Sequence, residues 1–260
     1  YPLRRQRQMC IRDRTISVEQ LEADGYKAVF VGSGAGLPRF MNIPGENYIN
    51  ILSSNEYLTR VNLMDASNKE SATPVPFGKH VLVVGGGNTA MDSVRTALRL
   101  GAESATIVYR RSENEMPARK EEVKHAKEEG VKFLTLHNPI EYLADENGKV
   151  KAVKLQKMEL GEPDASGRRS PIAIPGAIET LDVDLVIVSI GVRPNPIIPH
   201  SVSGIEISAK GTIVTDENMR SARKELYAGG DIVRGGATVI LAMGDGRKAA
   251  KAADEALQEK

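Results

Sequence analysis

Apolar residues along this chain fall into short solid runs closed by glycine, alternating with stripes of helical period. His80-Val-Leu-Val-Val84 is the clearest run and predicts a strand buried on both faces. It leads into Gly85-Gly-Gly-Asn-Thr-Ala90, after which Ala90, Val94, Ala97 and Leu98 recur on one helical face up to Leu100. Gly101 ends that helix, and Ala105-Thr-Ile-Val-Tyr109 predicts the next strand. Strand, turn, helix and strand in about 30 residues is the length of a βαβ unit. Residues 118–129 predict a charged helix, residues 131–136 a further strand, and Asp184-Leu-Val-Ile-Val-Ser-Ile190 another buried strand ending at Gly191.

The flanking pattern is less regular. Ser17-Val-Glu-Gln20 has capping-box spacing and predicts a short helix ended by Gly25. Ala28-Val-Phe-Val31 reads as a buried strand before Gly32-Ser-Gly-Ala-Gly36. Residues 53–66 predict a helix with Tyr57, Leu58, Val61 and Met64 on one stripe, and residues 67–78 a linker. Residues 140–158 predict a hairpin turning at Asn147-Gly148. Residues 161–176, polar and rich in Pro and Gly, are expected to be a loop, and residues 212–229 to hold short strands. A helix over 238–257 would carry Val239, Ala242, Met243, Ala249, Ala250, Ala253 and Leu257 near one face.

Composition narrows the classes. Hydrophobic residues are 41% of the 260, enough for a core, while aromatics are only 4% with no Trp, which disfavours a stacking platform for single-stranded nucleic acid. The formal net charge of +1 is uneven: residues 1–14 hold five Arg and one Asp, net +4, leaving 30 basic and 33 acidic residues, net −3, elsewhere. The body therefore has no polyanion-binding character. The tail fits a disordered basic arm, but RRQRQMCIRDR resembles translated adapter sequence, and the foreign reading is preferred. The single cysteine, Cys10, excludes an internal disulfide, a CxxC redox pair and an iron–sulfur cluster held by this chain alone. No apolar run approaches the roughly 18 residues of a membrane span, so a cytoplasmic location is expected. The four histidines lack metal-ligand spacing, and no Tyr-x-x-x-Lys pair, Walker A string, GxSxG or HExxH is present.

The chemistry is concentrated in Gly85-Gly86-Gly87-Asn88-Thr89-Ala90, a GxGxxG/A string between a strand and a helix. Gly85 permits the tight turn, Gly87 lets a pyrophosphate approach the backbone, and Ala90 lets helix and strand pack closely. Free amides and the helix dipole then favour phosphate. NAD binders usually place an acid at the end of the second strand; here Arg110 and Arg111 stand there, and a guanidinium pair suits the 2′-phosphate of NADP(H). The earlier turn, Gly32–Gly36, has Pro38 and Phe40 where a helix should begin, and reads as a crossing between two domains near a cofactor.

Six strings together resemble one family: Ala28-Val-Phe-Val-Gly-Ser-Gly-Ala-Gly-Leu-Pro-Arg39, Ile43-Pro-Gly-Glu46, Gly85-Gly-Gly-Asn-Thr-Ala-Met-Asp92, Tyr109-Arg-Arg111, Glu115-Met-Pro-Ala118 and Gly229-Gly-Asp231. They are similar to the small (beta) subunits of NADPH-dependent glutamate synthase, a group related to the flavin subunit of NADH-dependent ferredoxin:NADP oxidoreductase and to part of dihydropyrimidine dehydrogenase. The resemblance implies an α/β fold of two interleaved Rossmann-like domains, doubly wound and three-layered, with the FAD domain incomplete. It implies a flavin-domain segment at 15–78, an NADPH domain at 79–190 and a flavin-domain C-terminal segment at 191–260. It places Gly230 and Asp231 at the FAD ribityl–phosphate region, and Ala237, Thr238 and Val239 at a helix N-terminus facing the flavin. It places Gly191 at the nicotinamide end of NADPH. The implied partners are a glutamate synthase large subunit or a ferredoxin-type acceptor, with iron–sulfur clusters in a preceding region or a partner. The chain lacks the family's cysteine-rich start and first GxGxxG, so it is expected to begin after them. The implied function is hydride transfer between NADPH and FAD with electrons passed on to iron–sulfur clusters, as in a glutamate synthase small subunit; the alternatives are the flavin subunit of NADH-dependent ferredoxin:NADP oxidoreductase or a catalytically silent NADP(H)-binding fragment.

Overall fold

The computed structural model describes residues 16–68, 70–164 and 167–258. The tail at 1–14, with Cys10, lies outside these. The described residues form two compact units, one within 38–191 and a second made of 16–37 with 192–258. It passes between them at Leu37/Pro38, directly after the Gly32–Gly36 turn, and at Gly191/Val192.

In the second unit, helix α1 (Val18–Ala23) opens on the expected capping box, with Ser17 and Gln20 bonded reciprocally. Strand β1 (Val29–Val31) follows, and β2 (Leu37–Pro38) lies at the passage.

Residues 38–191 build a five-stranded parallel sheet in the order β3 (Ile51–Ser53), β10 (Leu185–Val188), β4 (His80–Val84), β5 (Ser104–Tyr109), β6 (Lys132–Thr135). Strand alternation divides the apolar runs between two cores. Val81, Val83, Ile107, Leu185 and Ile187 meet the helical residues Tyr57, Met91, Val94 and Val123. Leu82, Val84, Val108, Val186 and Val188 meet Tyr142, Val153 and Leu155. The first face is thus covered by α2 (Ser54–Asn62), α3 (Asn88–Arg99) and α4 (Lys120–Glu128). The second is covered by an antiparallel sheet of β7 (His137–Ala144), β8 (Val150–Pro163) and β9 (Arg169–Asp182). The three layers are helix, parallel sheet and antiparallel sheet.

Three expectations are corrected in this unit. Residues 38–78 fold here rather than with the first segment: β3 pairs with β10, and the Tyr57 ring of α2 is fully buried in the helical core. Helix α2 stops at Asn62, and Met64 is exposed. Within the stretch expected to be a loop, 161–163 and 169–176 are strand, the outer half of a long two-stranded ribbon where Glu159 pairs with Ile172 and Leu160 with Pro171. The prolines that suggested a loop are tolerated because β9 is an edge strand and the ladder shifts register between Leu160 and Pro163.

The second unit holds a two-stranded parallel sheet of β1 and β12 (Leu226–Ala228) around Val31, Ile213, Leu226 and Ile232. Strand β11 (Val192–Arg193) and helices α5 (Ile197–Ser201) and α6 (Asp231–Arg234) belong to it. Helix α7 (Val239–Gln258) covers the sheet with only part of the expected stripe: Ala249 is buried and Ala253 packs beside it, whereas Val239, Met243 and Leu257 are exposed and Asp245 and Ala252 are buried in their stead. A small-residue face lets the helix approach the turn after β12 more closely than a Val/Met face would. Asp245 is missing from a purely apolar stripe because it is buried as one half of an ion pair.

Candidate nucleotide-binding site

A parallel sheet puts the carboxyl ends of all its strands at one edge, where ligands of open α/β sheets bind. At that edge the Gly85 amide donates to the Val108 carbonyl at 3.0 Å, and Ser189, just past β10, donates to the Val84 carbonyl at 2.8 Å. Gly85 has φ +141°, and a β-carbon there would lie 2.1 Å from the Ser189 carbonyl oxygen. A β-carbon at Gly86 would lie 2.8 Å from the Tyr109 ring. At Gly87 it would meet nothing within 4 Å. The turn is therefore packed into the sheet at Gly85 and Gly86 and open only at Gly87.

Gly87 is the N-cap of α3, has φ −91° and ψ 175°, and supplies no side chain to cap the helix. The first helical amides, of Asn88 and Thr89, have no carbonyl within the helix to reach. The first turn of α3 carries no acid, so the helix dipole there is uncompensated. Ala90 is fully buried against the sheet. These features fit a phosphate cradle. The Asn88 side chain is otherwise engaged: its Oδ1 accepts from the Arg119 amide at 2.9 Å. The Ala118 amide donates to the Gly86 carbonyl at 3.0 Å, and the Tyr109 hydroxyl to the Glu115 carbonyl at 2.9 Å. The string Glu115-Met-Pro-Ala118 thus latches onto the back of the glycine turn.

The arginine pair divides. Arg110 is exposed. Arg111 is buried: its Nη2 pairs with Asp164 Oδ2 at 2.6 Å and its Nε donates to the Arg169 carbonyl at 2.7 Å, both on the β8–β9 ribbon. Gly191 lies beyond β10 at the same edge, with φ +98°, and its carbonyl accepts from the Arg39 amide at 3.1 Å. The structure therefore gathers Gly85, Gly87, Asn88, Thr89, Ala90, Arg110, Arg111 and Gly191 around the carboxyl edge of one sheet.

The remaining predicted residues lie in the other unit. A β-carbon at Gly229 would lie 2.8 Å from the Asp245 Cβ, and Gly230, at φ +75°, would place one 3.3 Å from the Ala242 Cβ. Arg234 grips Asp245 with two bonds of 2.7 and 2.6 Å, and the Gly230 amide adds a third at 3.0 Å. The Arg234 hydrogen bonds hold the Asp245 carboxyl below its ordinary range. Asp231 Oδ1 accepts from the Ala237 amide at 3.1 Å, and Ala237, Thr238 and Val239 are exposed. The loop at Ile43-Pro-Gly-Glu46, in the first unit, is tied down likewise: Glu46 accepts the Met41 and Asn42 amides at 2.7 and 2.6 Å. Sequence reasoning missed Asp164, Ser189, Arg234 and Asp245. Only Asp245 carried a signal, an acid between two glycines directly after the apolar first turns of its helix.

A family model for pyridine nucleotide-disulphide oxidoreductases matches residues 4–255. The chain belongs to that family. Members of similar sequence include the "Glutamate synthase [NADPH] small chain" of Halomonas elongata, 37% identical over 91% of this chain and 51% of that protein. The "NADPH-Fe(3+) oxidoreductase subunit beta" of Geobacter sulfurreducens is 38% identical over 95% of this chain and 39% of that protein. The chain spans about half the length of the glutamate synthase small chains it matches. Among solved structures, Mycobacterium tuberculosis FprA in complex with NADPH superposes with a TM-score of 0.72, covering 92% of this chain and 65% of that one at 21% identity, a likeness of fold. The family's oxidoreductase fold is thus shared by this chain, and no helix among its described residues is long and apolar enough to cross a membrane.

Proposed function

We propose that the chain is the NADPH-binding part of a flavoprotein oxidoreductase subunit of the glutamate synthase small-chain type. The observation that carries this is the uncapped N-terminus of α3 behind a turn open only at Gly87, with the exposed Arg110 directly after the neighbouring strand. NADPH held here would supply hydride-donating chemistry, and FAD would supply the exchange between hydride and single electrons destined for iron–sulfur clusters. The chain's own residues bind and orient. The Asn88 and Thr89 amides hold the pyrophosphate, Arg110 meets the 2′-phosphate, and Gly191 borders the nicotinamide. Gly230, Asp231 and the exposed start of α7 at Ala237, Thr238 and Val239 form part of the flavin site. No side chain is required as a general acid or base.

The partner in this reading is a large subunit of glutamate synthase type. A ferredoxin-type acceptor subunit is the second reading, favoured by the equal likeness to the Geobacter beta subunit. Calorimetric titration of the purified chain tests the core of the proposal. Binding of NADPH at least about tenfold tighter than NADH is expected, and no binding of either would refute it. A flavin absorbance band in the purified chain would count against a module that binds NADP(H) alone.

A further inference from the structure

Resting on that coenzyme reading, we infer that Asp164 competes with the 2′-phosphate for Arg111 and thereby sets how strongly the site favours NADPH over NADH. Arg111 stands two residues past the end of β5, beside Arg110, where the adenosine ribose belongs. Its side chain is only 6% exposed, and its partner Asp164 is 31% exposed. A guanidinium this buried cannot be left unpaired without a large cost, so some anion must face it. A carboxylate and a phosphate both accept from its fork of N–H donors. Asp164 is the anion that the protein itself provides.

The element that delivers Asp164 is suited to letting go. Beyond Lys157, the last residue of β8 paired to β7, the strand ladder of the ribbon runs only between β8 and β9, and Arg111 ties this outer half to the end of β5 through Asp164 and the Arg169 carbonyl. Edge structure with few neighbours opens at low free energy. In the exchange, the Asp164 carboxylate moves into solvent and the 2′-phosphate takes its place on Arg111, whose charge is unchanged. NADH brings no such group and leaves the internal pair intact. The cost of parting Asp164 from Arg111 therefore falls on NADPH alone.

Asp164→Asn keeps an oxygen acceptor for Arg111 and removes the charge. The expected result in the full chain is an NADPH dissociation constant about tenfold lower, with NADH changed by less than about twofold. Unchanged or weaker NADPH binding, or equal tightening of both coenzymes, would overturn the inference. The gain should vanish in Asp164→Asn/Arg111→Ala, since the cycle isolates the pair. A gain that persists there places the effect elsewhere and overturns it too. Should the variants not fold, hydrogen exchange on the unaltered chain decides: amides at 160–164 and 167–170 should lose protection with NADPH and not with NADH. Equal or increased protection would overturn the exchange. If the unaltered chain binds no NADPH, the coenzyme reading itself has failed; if it prefers NADPH while Asp164→Asn changes nothing, only the competition has.

Discussion

Gly87 and Gly229 each follow a buried parallel strand and each precede a helix. A β-carbon at Gly87 would meet nothing within 4 Å, whereas one at Gly229 would lie 2.8 Å from the Asp245 Cβ and 3.2 Å from the Phe30 ring. The first glycine leaves room that the protein does not fill; the second is needed so that the protein can fill it. The charges differ in the same sense. Above Gly87 the helix terminus has neither a side-chain cap nor an acid. Below Gly229 the turn is tied to α7 by the Arg234–Asp245 pair and the Gly230 amide. One glycine turn leaves an uncapped helix terminus open, and the other already holds an anion of the protein's own. Glycine-rich strings alike in sequence therefore do different physical work, and the space around the absent β-carbon tells them apart.

The largest effect should come from Gly85, the packed residue of the open turn. Gly85→Ala forces a β-carbon onto the Ser189 carbonyl at positive φ and should cost about 3 kcal/mol, read by denaturant unfolding. Gly229→Ala should cost about 1–3 kcal/mol in the same assay by pushing α7 outward. Gly87→Ala is the discriminating partner experiment. It should change stability by less than about 1 kcal/mol yet weaken NADPH about tenfold. Equal stability losses at Gly87 and Gly229 would erase the contrast. Arg110→Ala should weaken NADPH by about tenfold and leave NADH within about twofold, by calorimetry. Equal losses for both coenzymes would show that Arg110 does not read the 2′-phosphate.

The smallest effect is on pH dependence. Because the folded carboxyl of Asp245 titrates below its ordinary value of 3.8, the unfolded chain takes up the proton first as pH falls. The pair's contribution is complete above that ordinary value and is lost as pH drops through the lower folded value. Melting temperature below about pH 4 should therefore fall more steeply in the unaltered chain than in Asp245→Asn. Parallel curves would mean that the pair contributes nothing to acid sensitivity.

Much of the parallel-sheet unit was legible along the chain. His80–Val84, Ala105–Tyr109 and Asp184–Ile190 announced buried strands because parallel strands covered on both faces must be apolar throughout. The glycine turn and α3 followed from the same string. The β8–β9 ribbon was not legible, since its outer half is a solvated edge where Pro171 and Gly161 are tolerated and no apolar face is required. The face of α7 was misjudged because hydrophobicity marks what is apolar, and there the protein leaves Val239 and Met243 exposed while burying a charged Asp245. The arginine pair was read as one unit, and only the distance from Arg111 to Asp164 separates its members.

The sequence by itself determined β4, β5, β6 and β10 of the parallel sheet, the glycine turn and the sign of charge beside it, because these depend on local periodicity and on residues within a few positions. Tertiary structure alone decided which glycines face open space, that residues 38–78 join the unit of the parallel sheet, and that Arg111 is held by a carboxylate 53 residues away. Such pairings are set by which strands become neighbours, and adjacency in a sheet leaves no period in the chain.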